Sequence, residues 1–216
     1  MAERLSDVEH TVASRMHVRI QTAPDGPFDL HARLRDTQAF AVVIVEGTVQ
    51  CATQLGTHSG LRLLGPGDLL SRPGRSQSTL MTRSDLAVSG PMRYAALDDR
   101  VLALVQRYPR LIEGLQMRAD DQQQRLLVQL LICQLPRVED RVLALMWLLA
   151  ETWGNATPDG VVLAIRLTHS AIGLLVGARR STVTLALKEL QLRSALVRRK
   201  DDWLILERPQ PVAAGS

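Results

Sequence analysis

The stretch Leu167–Leu206, LTHSAIGLLVGARRSTVTLALKELQLRSALVRRKDDWLIL, holds the residues whose types and spacing carry the clearest chemistry. Between 179 and 200 stand seven basic residues, Arg179, Arg180, Lys188, Arg193, Arg198, Arg199 and Lys200, against one acid, Glu189. Residues 1–135 hold 15 basic and 14 acidic residues, so the excess is local although the whole chain carries only +4. Such a patch concentrates a phosphate backbone at one surface. Guanidinium groups can also grip a guanine edge through two parallel bonds. The hydroxyls of Ser181, Thr182 and Thr184 suit phosphates or bases, and a helix opening near Arg179 would turn its first amides toward a phosphate.

Other chemistries find little support. His17, His31 and His58 lack the His-x-His spacing that puts two imidazoles on one face of a strand. No carboxylate pair, P-loop or nucleophile elbow is present. Two cysteines, Cys51 and Cys133, make neither a disulfide framework nor a four-ligand metal site, and they read as ordinary buried thiols. The sequence therefore predicts no enzyme, no metal and no cofactor.

The elements that must position the basic patch follow from local signals. Thr168 is a good N-cap for a short helix through Ile172 and Leu175. Gly177, in Val176-Gly177-Ala178, permits the left-handed backbone that ends a helix. A second helix runs from Arg179 to about Leu192, with Val183, Ala186, Leu187 and Leu190 inward and Arg180, Ser181, Thr184 and Lys188 outward. The break is too short for independent helices, so the pair folds over itself steeply. Leu196–Lys200, a turn at Asp201-Asp202 and Trp203–Leu206 complete a hairpin, or wing. The competing reading is a helical hairpin for protein contacts whose arginines are merely solvated.

Three regions divide the chain. Residues 1–97 are broken by Gly and Pro, with β-rich runs at Phe40–Val45 and Leu61–Leu64. Turns are expected at Pro24-Asp25-Gly26, Glu46-Gly47, Gly65-Pro66-Gly67-Asp68 and Arg72-Pro73-Gly74, as in a small sandwich or rolled barrel. Residues 98–135 are helical. Pro109 can open a helix as a first-turn residue, and Arg110–Leu135 would span about 39 Å. Ile112, Leu115, Ala119, Gln122, Leu126, Gln129 and Cys133 recur at spacings of three and four, the pattern of a homodimer seam whose glutamines fix register. The alternative is a helix lying across its own domain, but its length exceeds what a small β-domain needs to cover. Residues 136–216 hold the DNA-binding region. It opens with an amphipathic segment, Val138–Trp153, followed by a strand at Val161–Ile165. No uninterrupted apolar run reaches 18 residues, and the first residues mix both charge signs without an apolar stretch. A cytoplasmic protein with no membrane partner is expected.

Leu167–Arg199 resembles the C-terminal domain of the cyclic-AMP receptor/fumarate-nitrate regulator family of bacterial transcription factors. The likeness lies in LTxxxIGxLVGAxRxTV at 167–183, LKEL at 187–190 and ALV at 195–197. Upstream, VVIVEGTVQ at 42–50 and LLGPGDLL at 63–70 are similar to that family's β-roll. The resemblance implies an α+β protein: an N-terminal, cyclic-nucleotide-binding-like β-roll, a long dimerisation helix, and a C-terminal winged helix-turn-helix. It implies a homodimer on double-stranded DNA, with RNA polymerase as a further partner. Thr168, Arg179, Arg180, Ser181, Thr182, Thr184, Lys188, Arg198, Arg199 and Lys200 are the expected DNA-binding residues, and Arg180 matches the arginine that reads a base.

The chain departs from the family at several places. Ser181 replaces an acid, Leu185 stands where arginine is frequent, and Arg179 replaces the serine or threonine N-cap, so the family's best-known operator does not carry over. After Gly67-Asp68 the chain reads LLSRPGRS, with no glutamate at the ribose-contacting place. Leu126 and Leu127 align where hydroxyls would meet a purine. Despite Arg75-Ser76, cyclic-AMP binding in the family's manner is not expected. The effector, the operator and the direction of regulation are not written in the sequence.

Overall fold

The computed structural model describes residues 18–71, 80, 82–200 and 202–209. Arg75-Ser76, His17 and Asp201 therefore lie outside the described residues. The chain falls into two compact units, Met1–His58 with Leu63–Gln124, and Ser59–Arg62 with Arg125–Ser216.

Two long strands organise the first unit. β3 (Ala41–Leu55) and β6 (Thr82–Leu97) run antiparallel, with Ala41 opposite Leu97 and Leu55 opposite Thr82. The β-branched run Val42–Val45 suits a pleated surface, and Val42 and Ile44 are fully buried. Among the described residues β1 (Ile20–Ala23) and β2 (Gly26–Pro27) join β6, while β4 (His58–Leu64) and β5 (Leu69–Ser71) join β3. Val49, Leu64, Met92 and Tyr94 fill the core with Leu34 of α1 (Leu30–Asp36). Each such aliphatic side chain contributes about 1.5–3 kcal/mol by leaving water. Tyr94 meets Phe28 edge-on at 5.6 Å and donates its hydroxyl to Gln21 Oε1 at 2.6 Å.

Two expectations change here. Glu46-Gly47 is not a turn: β3 runs through it with register shifts on both sides of Glu46. Gly47 takes φ +86°, and a Cβ there would sit 2.6 Å from the Pro91 carbonyl oxygen. The glycine permits a bulge in a continuing strand, which Arg93 pins by pairing with Glu46 at 2.6 Å. The short helix α1 was not anticipated; its start is fixed by Asp29, whose carboxylate accepts from Ala32 N–H at 2.9 Å. The Gly65–Asp68 turn forms as read, with the buried Asp68 carboxylate accepting from Gly65 N–H at 2.9 Å.

Helix α2 (Asp99–Arg107) is capped by Asp98, and α3 (Pro109–Ile132) opens on the expected proline. The seven residues of the expected seam differ in their surroundings along α3. Leu115 packs with Leu111 against Val101 and Val105. Gln122 accepts from Leu69 N–H at 3.0 Å and donates to Leu69 O at 3.1 Å. Further along, Gln129 Nε2 and Cys133 Sγ both donate to Leu175 O, at 3.0 and 3.5 Å. Ala119 is half-buried, whereas Ile112 and Leu126 are exposed. The glutamines thus satisfy backbone groups of their own chain. The exposed apolar surface lies one step round the helix, at Leu126, Leu127, Leu130 and Leu131, which are 38–56% exposed.

The second unit is built on α4 (Val138–Trp153), whose Val142, Leu145, Met146 and Leu149 are buried as the periodicity predicts. Trp153 lies under the Arg125 guanidinium at 5.3 Å. A hairpin, β7 (Asn155–Thr157) and β8 (Gly160–Leu163), precedes α5 (His169–Val176) and α6 (Arg180–Leu192). The strand expected at Val161–Ile165 is thus one arm of that hairpin. β9 (Leu196–Arg198) and β10 (Trp203–Ile205) follow, and the sheet order is β7-β8-β10-β9. No helix among the described residues is long and apolar enough to cross a membrane.

Candidate nucleic-acid interface

Helix α5 begins where Thr168 takes an extended backbone and its Oγ1 accepts from Ala171 N–H at 3.1 Å. It stops at Gly177, whose φ of +64° is the left-handed conformation that glycine adopts without cost. Ile172, Leu175 and Val176 are buried and hold α5 in place. Gly173 lets the following turn come close: a Cβ there would lie 2.6 Å from Ala178 O. Glycine thus allows α6 to follow α5 after a short turn.

Helix α6 buries Val183, Ala186, Leu187 and Leu190 and packs on α4 and α5. Its other side is exposed from end to end: Arg180, Ser181, Thr182, Thr184, Leu185, Lys188 and Leu192. Arg179 occupies the N-cap without a side-chain cap bond. The arginine has no lone pair to lend, so it leaves the first-turn amides to be met by something else. Leu185, in the middle of this strip, and Leu192, at its end, are 67% and 72% exposed.

The wing stands beside that helix. β10 pairs on one side with β8, Trp203 opposite Leu163, and on the other with β9, Trp203 opposite Arg198. Trp203 is buried, and the Arg198 guanidinium covers its ring at 5.4 Å. Arg199 lies 4.0 Å from Asp202, and Lys200 is exposed at the tip.

The structure brings Thr184, Lys188 and Arg198 together around a cavity of about 240 Å³. Arg180 joins this group through its carbonyl, which accepts the Thr184 hydroxyl at 3.0 Å. Thr168, Arg179, Ser181 and Thr182 are exposed at the leading ends of the two helices, and Arg199 and Lys200 at the wing.

Sequence reasoning missed His169. Its Nδ1 lies 2.9 Å from Thr184 Oγ1 and its Nε2 3.3 Å from Arg198 Nη1. Burial, reinforced by Arg198 and Arg180, holds its pKa below the ordinary histidine value. A histidine directly after the N-cap of the first helix was the available signal. Of the two cysteines, Cys51 is buried, and burial pushes the Cys133 thiol up, which leaves it little thiolate.

No family model matches the chain, and no curated protein is similar to it in sequence. Solved structures are similar in fold. A cyclic nucleotide-binding domain containing protein from Listeria monocytogenes superposes with TM-score 0.68 at 16% identity, covering 94% of each chain. A mutant of CooA from Carboxydothermus hydrogenoformans gives 0.65 at 18% identity, again over 94% of both chains. A transcriptional regulator of the CRP family from Thermus thermophilus gives 0.58 at 14%, covering 88% of this chain and 91% of that one. At these identities the likeness establishes the fold: a mixed α and β chain with an antiparallel β-roll followed by a winged helix-turn-helix.

Proposed function

We propose that this chain is a sequence-specific DNA-binding transcription regulator of the cyclic-AMP receptor/fumarate-nitrate regulator family. One observation carries the reading. The exposed side of α6 and the adjoining wing gather Arg179, Arg180, Lys188, Arg198, Arg199 and Lys200 on a scaffold whose opposite side is fully packed. A helix held this way fits the major groove. Arg180 and Ser181 reach base edges, while Thr168, Thr182, Arg198, Arg199 and Lys200 meet phosphates. The fold shared with a solved CRP-family regulator supports the same reading.

The regulator works as a homodimer, joined through Leu126, Leu127, Leu130 and Leu131 of α3. Four leucines left in water on one helix face suit a second copy, and two copies place two recognition helices on a two-fold operator. At a promoter such a dimer acts on RNA polymerase. It carries no catalytic role.

The test is a mobility shift of fragmented genomic DNA at low salt, with and without competitor. A subset of fragments retained under competitor is the expected result. No shift of any fragment by folded protein refutes DNA binding, and equal competition by all DNA refutes sequence preference.

A further inference from the structure

We infer that His169, Lys188 and Arg198 form a seat for a DNA phosphate that takes up a proton when it is filled, so that this chain holds DNA more tightly as pH falls. The inference rests on the DNA-binding reading above and adds a proton to it.

The hydrogens around His169 can be assigned one by one. Arg198 can only donate, so the imidazole Nε2, 3.3 Å from its Nη1, must accept. Nδ1 then carries the ring hydrogen and donates to Thr184 Oγ1 at 2.9 Å. The Thr184 hydroxyl in turn donates to Arg180 O at 3.0 Å. Every position is used, and this arrangement of bonds calls for the neutral ring.

Among the described residues, the charged groups that face His169 are all of one sign. Arg180 and Lys188 come from α6 and Arg198 from β9, while β10 supplies only the Trp203 ring. Helix α5 follows the histidine with Ser170 and Ala171, and no carboxylate among the described residues lines the cavity. Adding a proton to the free protein would replace the Arg198 acceptor with a like charge. Burial is the main cause of the lowered pKa of His169, and the like charges of Arg198 and Arg180 add to it.

A phosphodiester entering the cavity reverses the balance. It gives Arg198 and Lys188 an anionic acceptor, releases Nε2 from Arg198, and favours imidazolium over imidazole. One proton from solvent adds to Nε2, which then donates to the phosphate, while Nδ1–H stays on Thr184. Net binding is one phosphate and one proton per subunit. Linkage then requires affinity to rise as pH falls, by up to about tenfold per pH unit per subunit between the free and bound pKa values.

The experiment titrates the full-length protein with a short mixed-sequence duplex by calorimetry, in two buffers of different ionisation enthalpy. It is paired with a nuclear magnetic resonance titration of the His169 ring, free and bound, its signal assigned by its loss in His169→Gln. Proton uptake close to one per subunit near neutral pH is expected, absent from His169→Gln, with the His169 pKa raised on DNA. Binding without uptake, uptake that survives His169→Gln, or a His169 pKa unmoved by DNA overturns the proton-linked seat and leaves DNA binding standing. Folded wild-type protein that binds no duplex at low salt overturns both. Should His169→Gln fail to fold, the buffer comparison and the ring signal whose pKa moves on DNA still decide the matter in the wild type.

Discussion

Replacing Gly173 by alanine should damage DNA binding far more than it damages folding. The added Cβ would lie 2.6 Å from the carbonyl oxygen of Ala178, whereas ordinary contact begins near 3.4 Å. The turn must therefore retreat by about 0.8 Å, and the opposing atom is backbone, which cannot rotate aside as a side-chain tip would. The same turn is fixed by a 2.9 Å bond from Ala178 N–H to Gly173 O, so the displacement also strains that bond. Overpacking of this kind costs about 1–3 kcal/mol. Against it stands a gain of about 0.5–1 kcal/mol from replacing a helical glycine by alanine. The net loss of stability is thus about 0–2.5 kcal/mol, while Arg180, at the start of α6, is moved with the turn. Gly177→Ala is the control: its Cβ meets nothing closer than Cys133 Sγ at 3.8 Å, so only the left-handed backbone is penalised, by about 1 kcal/mol. Urea unfolding and fluorescence anisotropy with DNA, run on both variants, separate the effects. A protein that still folds, with a stability loss of no more than about 2.5 kcal/mol and a tenfold or greater loss of affinity, is expected for Gly173→Ala. Wild-type affinity in that variant would refute the idea that this contact sets the angle of the recognition helix.

Arg180→Ala should cost about 1–3 kcal/mol on a specific site and relax preference at one position of each half-site. Arg199→Ala should weaken all duplexes alike and flatten the salt dependence. Equal loss on specific and random DNA for Arg180→Ala would remove that residue from base reading. Leu127→Glu with Leu130→Glu should turn the proposed dimer into a particle of 23.9 kDa in light scattering; a monomeric wild type, or a variant that stays dimeric, rules out this face. Cyclic AMP and cyclic GMP should show no micromolar binding in calorimetry, and binding abolished by Arg75→Ala would contradict this.

What the sequence disclosed depended on how local each signal was. Thr168, Gly177 and the buried set Val183, Ala186, Leu187 and Leu190 lie within one short stretch, and each acts on its near neighbours, so the two helices emerged at almost their observed bounds. Gly47 was harder because a glycine permits a turn and a bulge equally; only the partner strand, with Pro91 overhead, selects the bulge. The periodicity of α3 showed that the helix has faces but not which neighbour each face meets. Gln122 and Gln129 looked like register-setting residues of a dimer, yet they bond the carbonyls of Leu69 and Leu175. His169 stayed hidden because its meaning depends on Thr184 and Arg198, which are 15 and 29 positions away.

The central place of β10 between β8 and β9 has a bearing on how such a protein can change. The strand that bears Trp203 belongs to the packed sheet, but Arg199, Lys200 and Asp202 lie outside its paired strands. Exposed loop tips tolerate exchange and insertion, so this segment can lengthen, shorten or swap charge without the core being rebuilt. If the chain binds DNA as proposed, it can acquire new flanking-sequence preferences at the wing while its helices remain as they are. The same segment is a natural place to graft a tip from another protein of this fold.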